Sequence, residues 1–237
     1  MSDKTKRIKI MENGPYLVTE GIPVHQDKII ADDEGNSAEW EAGKSYDTSS
    51  HTNNGHFALC RCGRSKNKPF CDGNHVKHNF SNNETADRTP YLDAARVYEG
   101  ETIDLLDRVN LCAVARYCDR YDDVWHMTIG SGDKHPDYEA KAIDEACKCP
   151  SGRLTARKNG QEIEPELDIE IGVIEDLPQD KKGPLWAKGG IVIEGADNCE
   201  YEVRNRVTLC RCGESQNMPF CDASHMNCKH MRVVDPE

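Results

Sequence analysis

Short apolar runs punctuated by glycine and proline recur twice along the chain. Tyr16-Leu17-Val18 and Ile22-Pro23-Val24 follow Gly14-Pro15, and the pattern returns as Leu185-Trp186-Ala187 and Ile191-Val192-Ile193 after Gly183-Pro184. Gly-Pro reads as a turn, the first run as a strand, the next glycine as a break and the second run as another strand. A cysteine-rich loop follows each copy, so the repeating unit is strands followed by a loop of candidate ligands. The connectors differ. Asp32 to Gly55 is polar throughout and reads as a loop or excursion. Glu194 to Asn198 reads as a tight turn leading into Tyr201–Leu209, which alternates like a strand.

A different segment separates the copies. Tyr91–Tyr98 and Tyr138–Ala146 look helical, the second with Pro136 and Asp137 at its start, and Ile163–Ile174 alternates weakly as a strand. The expected organisation is residues 1–80 as a first unit, 81–180 as an inserted domain and 181–237 as a second unit. Over 237 residues only 37% are hydrophobic and 6% aromatic, so no single large core is expected, and bound metal supplies part of the stability. Thirty basic against 42 acidic residues leave a net charge of −12, which argues against nucleic acid and anionic membranes as partners. No apolar run follows the basic residues at the start, and none approaches the ~20 residues of a membrane span, so a cytoplasmic protein is expected.

Twelve cysteines in such a chain point to metal rather than disulfides, because the cytosol keeps thiols reduced. Two loops carry six of them: Leu59-Cys-Arg-Cys-Gly-Arg-Ser-Lys-Asn-Lys-Pro-Phe-Cys-Asp-Gly-Asn-His75 and Leu209-Cys-Arg-Cys-Gly-Glu-Ser-Gln-Asn-Met-Pro-Phe-Cys-Asp-Ala-Ser-His225. Each offers three thiols and an imidazole at the same spacing: Cys60, Cys62, Cys71 and His75, then Cys210, Cys212, Cys221 and His225. Such a donor set suits zinc or an iron-sulfur cluster. A single residue between two thiolates constrains their bite on one small tetrahedral ion, which favours the cluster. Asp72 is placed to aim His75 by a local hydrogen bond.

These loops resemble the CDGSH iron-sulfur (NEET-like) family, whose pattern is Cys-x-Cys, a Ser three residues on, then Pro-x-Cys-Asp-Gly-Ser-His. Ser65 and Ser215, Pro69 and Pro219, and Asp72 and Asp222 match it; Asn74 replaces the family Ser, and Ala223 the family Gly. Ala223 would be strained if that position is left-handed. The resemblance implies a 2Fe-2S cluster on each loop, two units sharing strands as in the family's dimers, and an exposed, protonatable histidine. Basic residues Arg61, Arg64, Lys66 and Lys68 border the first loop; the second has Arg211 but Glu214, Gln216 and Met218, so the two potentials are expected to differ.

In the middle segment Cys112-Ala-Val-Ala-Arg-Tyr-Cys118 and Cys149-Pro-Ser-Gly152 have the outline of a bacterial ferredoxin run with Ala115 at the middle cysteine position. They resemble the divergent single-cluster ferredoxins over roughly 103–174. Three thiolates, Cys112, Cys118 and Cys149, support a 3Fe-4S cluster; a 4Fe-4S cluster needs a further ligand, with Cys147 nearest and His126 or water as alternatives. Apart from that candidacy Cys147 reads, with Cys199 and Cys228, as an ordinary thiol, and His51, His56, His78 and His135 as surface or turn histidines.

The expected fold is α+β, with two β-rich CDGSH-type units packed as an intramolecular pseudo-dimer and an inserted small ferredoxin-like domain. With no nucleophile triad, phosphate loop or Rossmann pattern, the chain is expected not to be an enzyme. Electron transfer with a redox partner protein is the leading expectation, and storage, sensing or transfer of clusters to an apo acceptor is the alternative. A monomer with an internal pseudo-two-fold satisfies both.

Overall fold

The computed structural model describes residues 6–81 and 83–233; the first residues of the segment read above for a leader pattern, 1–5, lie outside them. The first unit supplies β1 (Arg7–Ile10), β2 (Tyr16–Thr19), β3 (Val24–Ala31), β4 (Ser37–Ser45), β5 (His56–Leu59) and the one-turn helix α1 (Asn74–Lys77). The insert supplies α2 (Tyr91–Ala94), β6 (Arg96–Glu99), β7 (Asp104–Asp107), α3 (Val124–Ile129), α4 (Tyr138–Lys148), β8 (Leu154–Lys158) and β9 (Gln161–Ile163). The second unit supplies β10 (Ile171–Asp176), β11 (Lys181–Lys188), β12 (Val192–Glu194) and β13 (Arg206–Leu209).

Two sheets, ordered β12-β1-β2-β5 and β13-β11-β10-β3-β4, form the twin units, and a third, β6-β7-β8-β9, belongs to the insert. The repeat seen in sequence is a repeat of register: Tyr16 pairs with Leu59 in one sheet as Leu185 pairs with Leu209 in the other. The two units also exchange strands. β12 adds in parallel to β1, with Arg7 opposite Val192, and β3 adds in parallel to β10, with Val24 opposite Ile171. A parallel pair cannot be closed by a tight hairpin, so each exchanged strand is delivered by a connection from the other half. One apolar core results, holding Ile8, Ile10, Tyr16 and Val18 together with Ile171, Val173, Leu185 and Leu209. The insert has its own smaller core, including Leu105, Val124, Met127 and Ala146.

The insert docks on the second unit and on the edge of its sheet. Trp40 lies between Tyr117 and Trp186, at 5.0 and 4.9 Å between ring centres, and its indole donates to the Lys148 carbonyl at 3.2 Å. Arg116 forms a two-pronged ion pair with the buried Asp176. The Arg206 guanidinium, 1% exposed, donates to the carbonyls of Ala146, Cys147, Cys149 and Leu154 and so ties β13 to the end of α4.

Four local expectations need correction. Ser37–Ser45, inside the polar stretch read as a loop, is an edge strand paired with β3, and its polarity reflects solvent on the sheet edge. Tyr91–Tyr98 is helical only to Ala94; pairing of Arg96 with Asp107 turns the rest into β6. Ile163–Ile174 is not one strand, because β9 ends where that stretch begins and β10 starts at Ile171, in the sheet of the second unit. In Tyr201–Leu209 only Arg206–Leu209 is extended and paired. No helix among the described residues is long and apolar enough to cross a membrane.

Candidate metal centres

Each CDGSH-type loop leaves the end of an edge strand, β5 or β13, and returns to it. Cys60 donates its amide to the Pro69 carbonyl, and Cys71 donates to Ala58; Cys210 and Cys221 do the same to Pro219 and Thr208. Ser65 braces the turn by donating to Phe70 and accepting from the Asn67 amide, and Ser215 repeats this with Phe220 and Asn217. The Lys68–Pro69 and Met218–Pro219 peptide bonds are cis. Asp72 does not touch His75. One of its oxygens accepts from the Lys66 amide and the other from the Asn74 amide, so it fixes the turn that carries the histidine. Asp222 does likewise with Gln216 and Ser224.

The donors fall into two pairs at each site. The Cys60 and Cys62 sulfurs are 3.9 Å apart and those of Cys210 and Cys212 3.4 Å. In the outer pairs, Nδ1 of His75 faces Cys71 at 3.4 Å, as Nδ1 of His225 faces Cys221 at 3.4 Å. Among the described residues no three His, Cys, Asp or Glu donors close on a single ion position. Two pairs, one all-sulfur and one sulfur-nitrogen, are the donor arrangement that a two-iron cluster requires, so these residues fit it. Within each all-sulfur pair a shared proton lowers one thiol, Cys60 or Cys210, and raises its partner, Cys62 or Cys212. One thiol of each pair is therefore the more readily deprotonated, the form that binds iron.

The loops touch each other across the pseudo-two-fold. A Cβ on Gly63 would lie 2.6 Å from the Cys212 carbonyl oxygen, and one on Gly213 2.8 Å from that of Cys62, so only glycine fits at either position. Gly73 and Ala223 are both left-handed, at φ 82° and 70°, and the strain expected of Ala223 is present, costing about 1–2 kcal/mol.

The surroundings differ. Cys71 and His75 are partly exposed, whereas Cys221 and His225 are each 3% exposed. Tyr16 of the first unit donates to the Cys210 carbonyl at 2.7 Å, Thr85 and Ala86 donate their amides to Met218, and Asn217 donates to the Asn110 carbonyl of the insert at 2.8 Å. Cys228 and Met231 pack on Cys210, Cys212 and Met218, and His230 bonds the Cys212 carbonyl at 3.0 Å. Burial, with Arg211 adding repulsion, brings the His225 imidazole down to about 4. Burial holds the Cys221 thiol well above its ordinary value, and Cys210 and the insert's Cys112 add to the rise. Of the cations beside the first loop, Arg61 is not on the surface; it is 1% exposed and donates to the Gly14 and Met11 carbonyls, as Arg211 does to Gly183 and Ile174.

In the insert, Cys112, Cys118 and Cys149 line one cavity together with Ala115 and Arg153. Burial pushes the Cys118 thiol up, and Asp119, Cys149 and Cys112 push it further. Burial works against the Arg153 charge, but Asp107, at 2.7 Å, and the Cys112 sulfur outweigh it. Three clustered thiols beside a held cation suit a cluster of net negative charge. Ala115 packs into the aromatic group of Tyr117 and Trp186. Cys147, offered as a fourth ligand, is not brought to this cavity: its sulfur faces the Ile163 carbonyl across the other side of α4. His126 is likewise elsewhere, 3.4 Å from Asp122. Cys199 is exposed in a turn, whereas Cys228, read as an ordinary thiol, is buried against the second centre. The signal that would have marked Cys228 was its place three residues after His225.

The sequence matches the family described as iron-binding zinc finger CDGSH type over 13–76 and 182–226, and the family described as divergent 4Fe-4S mono-cluster over 98–159. No curated protein and no solved structure matches the chain. With paired donors in both loops and a thiol-lined cavity between them in sequence, the chain is an iron-sulfur protein in which two CDGSH regions flank an inserted divergent mono-cluster ferredoxin domain.

Proposed function

We propose that the chain is an electron carrier with a 2Fe-2S cluster on Cys60, Cys62, Cys71 and His75, a second on Cys210, Cys212, Cys221 and His225, and a third on Cys112, Cys118 and Cys149. Bound there, the clusters supply one-electron chemistry. The observation that carries the reading is the junction of insert and second loop. Asn110, two residues before Cys112, accepts from Asn217 of the second loop, and Cys112 acts electrostatically on Cys221. Residues beside ligands of two centres thus meet at one junction, an arrangement that suits a relay. Three thiolates with Cys147 turned away favour 3Fe-4S in the insert, although the matching family is described as 4Fe-4S.

Iron and sulfide analysis with electron paramagnetic resonance tests this. About seven irons per chain and a signal from the insert in the oxidised state are expected; about eight irons and a signal only on reduction mean 4Fe-4S. Clusters that cannot be reduced and reoxidised without loss would sink the electron-carrier reading. A second reading, cluster donation, is favoured by the exposure of Cys71 and His75. It predicts that apo-ferredoxin acquires iron and sulfide from the first loop alone.

A further inference from the structure

A wide, open cleft lies beside the first loop, bounded by the end of β4, residues 63–68, β11 and the buried Arg211. Lys44, Arg64, Lys66, Lys68, Lys182 and Arg211 line it against one carboxylate, Glu175, which also accepts from Gln26 at 2.6 Å. This concentration of positive charge stands in a chain of net charge −12. Among the described residues three of its cations have weak or neutral partners: Arg64 has a long, exposed pair with Glu214 at 3.8 Å, Lys44 lies over the Tyr46 ring, and Lys68 donates to the Ser65 carbonyl. Burial holds the Lys68 ammonium below its ordinary value, with Lys182 and Arg211 adding repulsion. Such a concave basic surface focuses potential outward and speeds encounter with a partner of opposite sign.

We propose that this cleft is the docking surface for an acidic electron-carrier protein, which meets the chain at the Cys60–His75 loop. The proposal rests on the electron-carrier reading. Three observations favour a protein over a small anion. The cations come from four separate segments, Lys44, Arg64 and Lys66 are exposed, and the cleft is open rather than enclosed. The second loop offers no equivalent, since Met218 and Gln216 stand where the first has Lys68 and Lys66. A partner docked in the cleft lies against residues 63–68, the part of the first loop between Cys62 and Cys71.

The test uses the full, cluster-loaded chain and an acidic plant-type ferredoxin as probe, with binding measured by calorimetry at about 20 mM and about 300 mM salt. Binding is expected to weaken at least about tenfold with salt, and the double variant Arg64→Glu/Lys66→Glu to weaken it about tenfold at low salt. Lys134→Glu, an exposed change on the insert, is expected to leave binding within about twofold. Equal binding by wild type and double variant overturns the site. So does tight binding of inorganic triphosphate without binding of ferredoxin, which makes the cleft a small-anion pocket, or self-association abolished by the double variant, which makes the occupant a second copy. Reduction by dithionite and reoxidation by a small quinone, followed spectroscopically, tests the underlying reading separately. A chain that cycles but shows no salt-dependent binding loses only the docking site; one that cannot cycle loses the electron-carrier reading.

Discussion

Two loops with the same ligands occupy opposite environments. At the matching ends of the edge strands that lead into the loops stand His56 in β5, partly exposed and bonded locally to the Asn54 carbonyl, and Arg206 in β13, buried and bonded to four carbonyls of the insert. β5 buries alternate residues, as a strand with one solvated face should; β13 is buried at every position. The ligand set fixes what can bind. What covers the strand behind it fixes how open that centre is to water and to partners.

Replacing Arg206 with Met should have the largest effect, about 3–5 kcal/mol, because it leaves buried carbonyls and Glu164 without their cation. Thermal unfolding should start earlier, and the insert's resonance signal should be lost while the twin loops keep theirs; His56→Ala should change stability by less than about 0.5 kcal/mol. Equal effects at the two positions would break the comparison.

Gly63→Ala should cost about 2–4 kcal/mol, from left-handed strain at φ 73° and collision with the Cys212 carbonyl. Since the contact is shared, both loops should lose colour together. Loss at the first loop alone would show that the centres are not mechanically joined.

Acid should separate them. Because burial lowers the His225 imidazole to about 4, its neutral, ligating form persists to lower pH. Absorbance decay near pH 5 should be biphasic, with the second centre at least about tenfold slower, equivalent to about 1.4 kcal/mol. His75→Cys should remove the fast phase. Its removal by His225→Cys instead would reverse the assignment.

The smallest effects come from one backbone position. Gly73→Ala, with open space around it but φ 82°, should cost about 1 kcal/mol, and Ala223→Gly should gain less than about 1 kcal/mol. Chemical denaturation of each variant measures both.

The ligand loops were legible because chemistry fixes their spacing: three thiols and an imidazole read as a site wherever the chain takes them. Tyr16–Val24 and its copy were legible for a similar reason, a glycine break between two apolar runs. Polarity misled at Ser37–Ser45, since an edge strand with one wet face looks like a loop. Local propensity misled at Arg96–Glu99, where Ala94 and Ala95 suggest a helix that pairing with β7 overrides. Cys147 lies one residue from Cys149's neighbour Lys148, yet α4 turns its sulfur away, a direction that spacing alone does not give. Arg206 was not singled out at all, because its carbonyl partners belong to a distant segment.

The exchange of β3 and β12 between sheets has an evolutionary consequence. In a dimer of identical subunits every mutation appears at both centres, so a residue cannot be tuned for one without altering the other. Joined in one polypeptide, the halves still complete each other's sheets, but each codon now acts on one centre only. Selection could then bury His225 and leave His75 partly exposed, two different outcomes from one repeated loop.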